Sequence, residues 1–333
     1  MLNHCQLRCV VFTHKTEICL TDEQRFNLMT VPTDRPVPVV IDCDAGNEID
    51  DQFTIAWSLL RADRIDLQAI YAAPYTNAFF ANQDGQPTRV AEAKDGMLRS
   101  YNEIQHVLSL LTPISPPPVF QGANNYLKDC STPVTNPAVA DLIERARKAP
   151  STLHVVVIGA PTNIATALLL APDIAQRIHI LWLGGHSPDW PDTEEFNLMQ
   201  DISASRVILD SEVALTWFPC MGVTNTMATS VPEMQYYLQN TSRIGDYLAT
   251  LAPQFPWITF AARKVIWDIV TIGYLISPAW FSSEVIASPV LNDNLTWSRD
   301  DRRHPIRQIR YIERDRLFED IFRRLIDADK TEK

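Results

Sequence analysis

The sequence predicts an α/β fold, a single Rossmann-like domain built around a doubly wound, mostly parallel sheet. Strand-like and helix-like segments alternate along most of the chain, which is the pattern of parallel sheets. The 333 residues are 46% hydrophobic, which is enough to bury one large core. Polar residues stand directly after several strand-like segments, and doubly wound sheets bind their ligands at those strand ends.

Each predicted strand is a short apolar run bounded by turn residues; the runs are 37–41, 65–71, 154–158, 178–183 and 214–218. Apolar residues recur at helical spacing in the segments 51–61, 87–111, 139–147, 164–170 and 204–209. The most apolar stretch, 153–172, is long enough to raise the question of a membrane span. Pro161 and Asn163 interrupt it, so we interpret it as a strand, a turn and a buried helix with Asn163 as N-cap.

Residues 1–35 lack this alternation and also lack an apolar core followed by a small-residue cleavage site. We therefore expect an N-terminal extension over 1–35, one domain over 36–330, and a cytoplasmic location without a membrane span. The six cysteines show no CxxC spacing, so neither a disulfide framework nor a zinc site is indicated. A net charge of −11 and the lack of a basic stripe argue against a nucleic-acid partner.

The most informative feature is a cluster of acids directly after the first predicted strand. Asp42, Asp44, Asp50 and Asp51 lie within ten residues, with Glu48 among them. Like charges this close repel and raise one another's pKa values, which favours a cation that neutralises them. Clustered hard oxygens suit Ca²⁺ or Mg²⁺ rather than zinc. The alternative is a solvated acidic turn whose aspartates cap the next helix, but capping accounts for only one or two of them.

A second acidic residue of interest is Asp268, which stands inside the apolar run 265–272. A carboxylate flanked by isoleucine, valine and tryptophan needs a partner if it is buried. A cation is the natural partner, so we predict that Asp268 joins the metal site.

Four segments, in this order along the chain, resemble motifs of the nucleoside hydrolase family, the inosine–uridine-preferring type. The acid cluster resembles the family's Asp-x-Asp-x-Gly-x-Asp-Asp signature, with two extra residues before the last pair. Segment 158–164 is similar to its Gly-Pro-Leu-Thr-Asn turn, and 183–185 followed by 195–197 is similar to its Met-Gly-Gly and Glu-Phe-Asn motifs. Trp267 and Asp268 stand where the family usually has His-Asp. The resemblance runs from about 37 to 325.

The resemblance implies a nucleoside-hydrolase-like catalytic domain that uses Ca²⁺ to hydrolyse the N-glycosidic bond of ribonucleosides. It implies that the Ca²⁺ is held by Asp44, Asp51, Asp268 and one backbone carbonyl, which we place at Asn136 or Thr135. It also implies that the ribose hydroxyls are held by Asp50, Asn77, Glu195 and Asn197. Asp42 is expected to be a supporting acid. We expect a homodimer or homotetramer.

The chemistry accounts for these residue types. Breaking an N-glycosidic bond builds positive charge on the ribose, which carboxylates and amide oxygens such as that of Asn197 favour. We expect Asp44 to be the general base that activates water. Trp267 cannot protonate a leaving base but can stack on it, and His186 is the remaining candidate proton donor. We therefore predict a preference for purine or modified-base ribosides over uridine, and a role in nucleoside catabolism such as purine salvage.

Two alternatives belong to other classes of protein. Asp42 and Asp44 after a strand also fit the nucleophile and acid of a HAD-type phosphatase, although the residues that follow fit that family badly. A Ca²⁺-dependent ribose- or nucleoside-binding protein without turnover would retain the same site. Assays for phosphatase activity and for ribose release distinguish the three.

Overall fold

A computed structural model describes residues 20–77, 89–111, 116–255 and 258–330 of the protein. Its main sheet has eight strands in the order β3-β2-β1-β4-β5-β6-β12-β9. The strands are β1 Val37–Cys43, β2 Ile65–Ala72, β3 Val119–Gln121, β4 Leu153–Val157, β5 Ile178–Leu183, β6 Ala214–Phe218, β7 Ala228–Thr229, β8 Lys264–Val265, β9 Phe281–Ala287, β10 Val290–Leu291, β11 Trp297–Ser298 and β12 Pro305–Ile312. β9 is antiparallel to β12, while the other pairings in this sheet are parallel.

The helices cover both faces of this sheet. They are α1 Asp22–Leu28, α2 Asp50–Leu60, α3 Ala93–Leu110, α4 Pro137–Lys148, α5 Thr162–Leu170, α6 Phe196–Gln200, α7 Ile202–Asp210, α8 Val231–Leu238, α9 Arg243–Leu251, α10 Ile269–Ile276 and α11 Arg314–Ile326. One core lies between the sheet and α2, α3, α8, α9, α10 and α11, and the other lies between the sheet and α4, α5, α6 and α7. The predicted doubly wound, mostly parallel sheet is confirmed.

Successive side chains of a strand point to opposite faces of the sheet, which explains why helices cover both faces. Along β1, Val39 and Ile41 belong to one core and Val40 to the other. Along β4, Val156 belongs to the first core and Val155 to the second. Strands that are apolar on both faces are stable only between two helical layers, which is why these runs are continuously hydrophobic.

The order of the strands places the site. The chain runs outward from β1 through β2 to β3, then returns and continues from β4 on the other side of β1. The carboxyl ends of β1 and β4 therefore flank a topological switch point, where a crevice opens for a ligand. Asp44 follows β1 directly, and Ile158 follows β4.

Most predicted elements are present, with shifted ends. The five predicted strands correspond to β1, β2, β4, β5 and β6, and the apolar stretch 153–172 is β4, a turn and α5. The predicted helix 87–111 is α3, and its residues 87 and 88 lie outside the described part of the chain. Sequence patterns did not indicate β12 or the edge strand β9. No helix in the described ranges is long and apolar enough to cross a membrane.

The start of the described chain packs against the domain. Arg25 of α1 is only 1% exposed, and its guanidinium donates to the carbonyl oxygens of Glu212, at 3.0 Å, and Leu20, at 3.2 Å. Met29 is equally buried. The predicted extension therefore does not lie apart from the domain over residues 20–29, because a buried guanidinium and an apolar side chain fasten it there. Residues 1–19 lie outside the described ranges.

Candidate active site

A cavity of about 300 Å³ opens at the switch point, beside the carboxyl end of β1. Its lining residues come from the loop after β1, the ends of β4 and β5 and the residues after them, the start of α6, the loop after β6 and the junction of β8 and α10. They are Asp44, Asn47, Glu48, Asp50, Asp51, Ile158, Leu183, His186, Glu194, Glu195, Phe196, Asn197, Cys220, Met221, Trp267 and Asp268. Most of the residues predicted from the sequence are therefore brought to one cavity.

Three carboxylates form the floor of this cavity. Oxygens of Asp50, Asp51 and Asp268 lie within 4.8 Å of one another, and all three side chains are buried. Burial raises the pKa values of Asp51 and Asp268, and the charges of the neighbouring aspartates raise them further. The Oδ1 atom of Asp51 is buried without a hydrogen-bond partner among the described residues. Unpaired buried carboxylate oxygens of this kind fit a divalent cation with hard-oxygen preference.

Asp44 stands beside this group. Its pKa is raised by burial and by the charge of Asp50, and its own charge raises the pKa of Asp51. Asn47 donates from Nδ2 to Oδ2 of Asp44 at 3.3 Å. We predicted that Asp44 binds the metal with Asp51 and Asp268, and that Asp50 binds ribose. In the structure it is Asp50 whose carboxylate lies within 4.8 Å of those of Asp51 and Asp268. The solvated acidic turn is excluded, because Asp44, Asp50 and Asp51 are buried.

Glu195 and Asn197 are held by the ends of strands and by the first turn of α6. Glu195 is the N-cap of α6; Oε1 accepts from the backbone of Asn197, and Oε2 accepts from Leu198 at 3.0 Å and Gly185 at 2.8 Å. Asn197 donates from Nδ2 to the carbonyls of Ile158 at 3.0 Å and Leu183 at 3.3 Å. These bonds leave Oδ1 of Asn197 as its remaining hydrogen-bonding atom at the cavity.

Gly185 makes this arrangement feasible. Its φ of +67° is a left-handed conformation that glycine adopts without strain. A Cβ at this position would lie 2.7 Å from Oγ1 of Thr193. The turn can therefore bring its amide to Glu195 only if residue 185 is glycine.

Asn77 and Asn136 do not line the cavity. Oδ1 of Asn77 accepts from the amide of Val90 at 2.7 Å, so this side chain joins the two ends of the segment between them. Asn136 is the N-cap of α4: Oδ1 accepts from Val139 at 3.0 Å, and its carbonyl accepts from Ala140 at 3.2 Å. Thr135 is likewise absent from the lining. None of these three residues lines the cavity, and the predicted roles of Asn77 and of the Asn136 or Thr135 carbonyl stay predictions.

Asn163 is not the helix N-cap that the sequence predicted. α5 begins at Thr162 after Pro161, and the buried Asn163 side chain instead links separate loops. Its Oδ1 accepts from Ala123 at 2.9 Å, and its Nδ2 donates to Oδ1 of Asp42 at 2.8 Å. The prediction was wrong because the Asn163 amide finds its hydrogen-bond partners far away in sequence rather than in the first turn of the helix. The predicted supporting acid, Asp42, is buried, and burial raises its pKa to about 8.

Trp267 and His186 also line the cavity. Trp267 is half-buried and packs against the first core, while its backbone amide donates to Oδ2 of Asp50 at 3.2 Å. His186 accepts from the amide of Met221 through Nδ1 at 3.3 Å. Burial lowers the pKa of His186, so its neutral ring carries the proton on Nε2.

The identity of the fold follows from comparison with known proteins. A model of the family described as inosine-uridine preferring nucleoside hydrolase matches residues 39–319. The chain belongs to this family. This membership agrees with the sequence resemblance and gives no support to the phosphatase alternative.

The matched relatives are distant. The non-specific ribonucleoside hydrolase RihC of Salmonella paratyphi B is 28% identical over 153 residues, 45% of this chain and 49% of that protein. RihC of Escherichia coli is 25% identical over 161 residues, 47% of this chain and 52% of that protein. The chain thus spans about half the length of the curated relatives it matches.

Two solved nucleoside hydrolase structures and one effector protein have the same fold over nearly their whole length. The purine-preferring ribonucleoside hydrolase from Gardnerella vaginalis superposes with a TM-score of 0.68 at 17% identity, covering 89% of this chain and 100% of that one. The inosine-guanosine nucleoside hydrolase gives 0.67 at 16% identity, covering 87% and 98%. The effector protein XOO4466 gives 0.60 at 18% identity, covering 92% and 96%.

Sequence reasoning missed the charged residues Glu194, which lines the cavity, and Lys264, which lies beside it. Lys264 of β8 is 5% exposed and forms an ion pair with the carboxylate of Glu48. Its charge also acts on Asp50, whose pKa burial raises to about 6 against the lowering effect of the lysine. Nothing in the local sequence distinguishes this lysine from a surface lysine.

We expect Asp51→Ala to abolish divalent-cation binding while leaving the nucleoside hydrolase fold intact. The substitution removes a donor from the floor of the cavity, and it also removes a buried charge that its neighbours repel. Calorimetric titration with Ca²⁺ and circular dichroism measure the two effects. Asp34→Ala is the control, because Asp34 is exposed and does not line the cavity. Wild-type Ca²⁺ affinity in Asp51→Ala would contradict the assignment.

Proposed function

We propose that the protein is a Ca²⁺-dependent hydrolase that cleaves the N-glycosidic bond of ribonucleosides to ribose and free base. The observation that carries the proposal is the buried group of Asp50, Asp51 and Asp268, with Asp44 beside it, at the floor of a cavity of about 300 Å³. Family membership supports the reaction type. The curated relatives are named non-specific ribonucleoside hydrolases, which supports ribonucleosides as the substrate class.

The residues present fit the divalent cation that the proposal requires. Asp51 and Asp268 would hold it, together with Asp44 or Asp50, and these donors are carboxylate oxygens. The chemistry that a bound cation supplies there is activation of water and orientation of two vicinal ribose hydroxyls. Because this role needs both hydroxyls, we propose selectivity for ribose over 2′-deoxyribose.

The other steps of the reaction depend on side chains of the protein. Asp44 accepts the proton of the attacking water, because its carboxylate lines the cavity beside the acids that would hold the cation. Loss of the base leaves positive charge on the ribose ring, which the carboxylates and Oδ1 of Asn197 favour. Glu195 holds the turn and α6 in place through three backbone amides, so we assign it a bracing role besides any contact with ribose.

Two side chains of the cavity lining act on the leaving base. The indole of Trp267 offers a face on which a base can stack, and this contact strengthens as the base becomes partly cationic. The neutral ring of His186 offers an Nε2–H donor to an acceptor atom of the base. A purine presents a larger face for stacking, so we propose a purine or modified-base preference over uridine.

A protein that binds ribonucleosides with Ca²⁺ but does not turn them over is the second candidate. The observation that favours it is Trp267, because an indole has no proton to give to a leaving base at neutral pH. Ribonucleoside binding without ribose release in the wild-type protein would identify this second function.

We expect Asp44→Asn to lower kcat for ribose release by about 10²–10⁴-fold, with a smaller change in KM. An amide can occupy the same position but cannot accept a proton from water. Steady-state kinetics with inosine measure both constants. Asp189→Asn is the control, because this exposed acid does not line the cavity. A near-normal kcat would assign the base elsewhere, with Glu48 as the first residue to test.

We expect Trp267→Phe to lower the ratio of purine to pyrimidine kcat/KM, because a phenyl ring stacks less well than an indole. The substrates are inosine, adenosine, uridine and a riboside with a good leaving group. Trp280→Phe is the matched control, since Trp280 packs against the same core but does not line the cavity. The stacking role is refuted by an unchanged ratio, or by uridine being the best natural substrate of the wild type.

A further inference from the structure

Lys264 is a buried cation directly beside the acidic cavity. It lies in β8, which pairs with β7 through Thr229, and its side chain is 6% exposed. Burial lowers the pKa of Lys264, but the charges of Glu48 and Asp50 outweigh that effect and raise it. The ammonium group is therefore a permanent positive charge at neutral pH.

The residues that line the cavity carry an excess of negative charge. Seven of the residues that line the cavity are aspartates or glutamates, and none of the described lining residues is a lysine or an arginine. The ammonium of Lys264 pairs with Glu48, and the carboxylates of Asp50 and Asp268 also act on it. Lys264 is thus a buried cation that does not line the cavity but pairs with a residue that does.

The lysine also joins the two parts of the chain that supply the acids. Asp50 and Asp51 follow the loop after β1, whereas Asp268 follows β8. Two polar contacts between these parts are the ion pair of Lys264 with Glu48 and the bond from the Trp267 amide to Oδ2 of Asp50. The carbonyl of Glu48 accepts from Nε2 of Gln52 at 3.3 Å, which fixes the backbone of this loop as well.

Glu48 is the residue whose behaviour depends on this lysine. Its carboxylate lines the cavity and is 39% exposed. Without a partner it would be a further hard-oxygen donor for a divalent cation, and the number of charged donors sets how tightly such sites bind. A cation with one more carboxylate donor has one fewer position for the hydroxyls of a ribose.

We propose that Lys264 is a positioning residue that holds the Glu48 carboxylate off the cation and keeps the cavity open to ribose. The inference rests on the proposed function, since it concerns how the same site receives a ribonucleoside. Removing the lysine charge should therefore strengthen cation binding and weaken substrate binding. A purely structural role for the ion pair would weaken both, because a loosened loop separates the acids.

The variant Lys264→Met tests whether loss of the lysine strengthens or weakens cation binding. We expect calorimetric titration to show Ca²⁺ bound about tenfold more tightly than in the wild type, because one neighbouring positive charge is lost and one carboxylate is freed. The KM for inosine should rise about tenfold, as expected for loss of an interaction that favours substrate binding. Lys264→Arg keeps the ion pair and should restore both constants. Lys148→Met is the control for loss of a lysine charge, because Lys148 is exposed and pairs with Glu144 on α4.

Weaker Ca²⁺ binding by Lys264→Met would overturn the proposal. If Lys264→Met does not fold, Glu48→Gln tests the proposal instead. The amide oxygen of the glutamine still accepts a hydrogen bond from Lys264. We expect the Ca²⁺ affinity of Glu48→Gln to stay within about threefold of the wild type, whereas a loss of about tenfold or more would make Glu48 a cation ligand and overturn the proposal.

The double variant Lys264→Met/Glu48→Gln should return Ca²⁺ affinity to the wild-type level, because the freed carboxylate is gone. Affinity that stays as tight as in Lys264→Met would contradict the role of Glu48. The Ca²⁺ titrations do not depend on turnover. If the wild type releases no ribose from any ribonucleoside, the proposed function fails, while the titrations still decide the role of Lys264.

Discussion

Repulsion between carboxylates that share a buried cavity is the constraint on which the site depends. Asp44, Asp50, Asp51 and Asp268 come from two distant parts of the chain, and burial denies them the water that would screen their charges. The fold can hold them together in their charged form only with positive charge close by. Lys264 supplies one such charge. A divalent cation would supply the rest, and the unpaired Oδ1 of Asp51 fits that requirement.

The sheet makes this crowding possible. β1 and β4 are neighbours that lead to opposite halves of the sheet, so their carboxyl ends leave room between the connecting loops. Asn197 bonds to the carbonyls that follow β4 and end β5, and Glu195 gathers three backbone amides at the adjacent turn. Residues that reach the cavity are therefore held by backbone groups of rigid strands, which suits a site that must position a sugar ring.

The sequence predicted the features whose cause is local. The apolar runs that became β1, β2, β4, β5 and β6 carry their pattern within a few residues. The acid cluster is visible because its members are neighbours in sequence. Asp268 is visible because a lone acid in an apolar run requires a distant partner.

Features with a tertiary cause could not be predicted in the same way. Asn163 has the local appearance of a helix cap, but its partners Ala123 and Asp42 lie 40 and 121 residues away. Lys264 is separated from Glu48 by 216 residues, and no local pattern marks it. Residues 20–29 lack the strand–helix rhythm, yet Arg25 and Met29 bury them against the domain. In each case the deciding contact is long-range.

Ribose release before and after cation removal tests the central claim, that a cation held by the buried acids drives cleavage of a ribonucleoside. The measurement is a reducing-sugar assay with inosine on the wild-type protein as purified, after treatment with a chelator, and after Ca²⁺ is restored. Release that is lost with the chelator and recovered with Ca²⁺ is the predicted result. Release that is unchanged by the chelator, or absent under all three conditions, would contradict it.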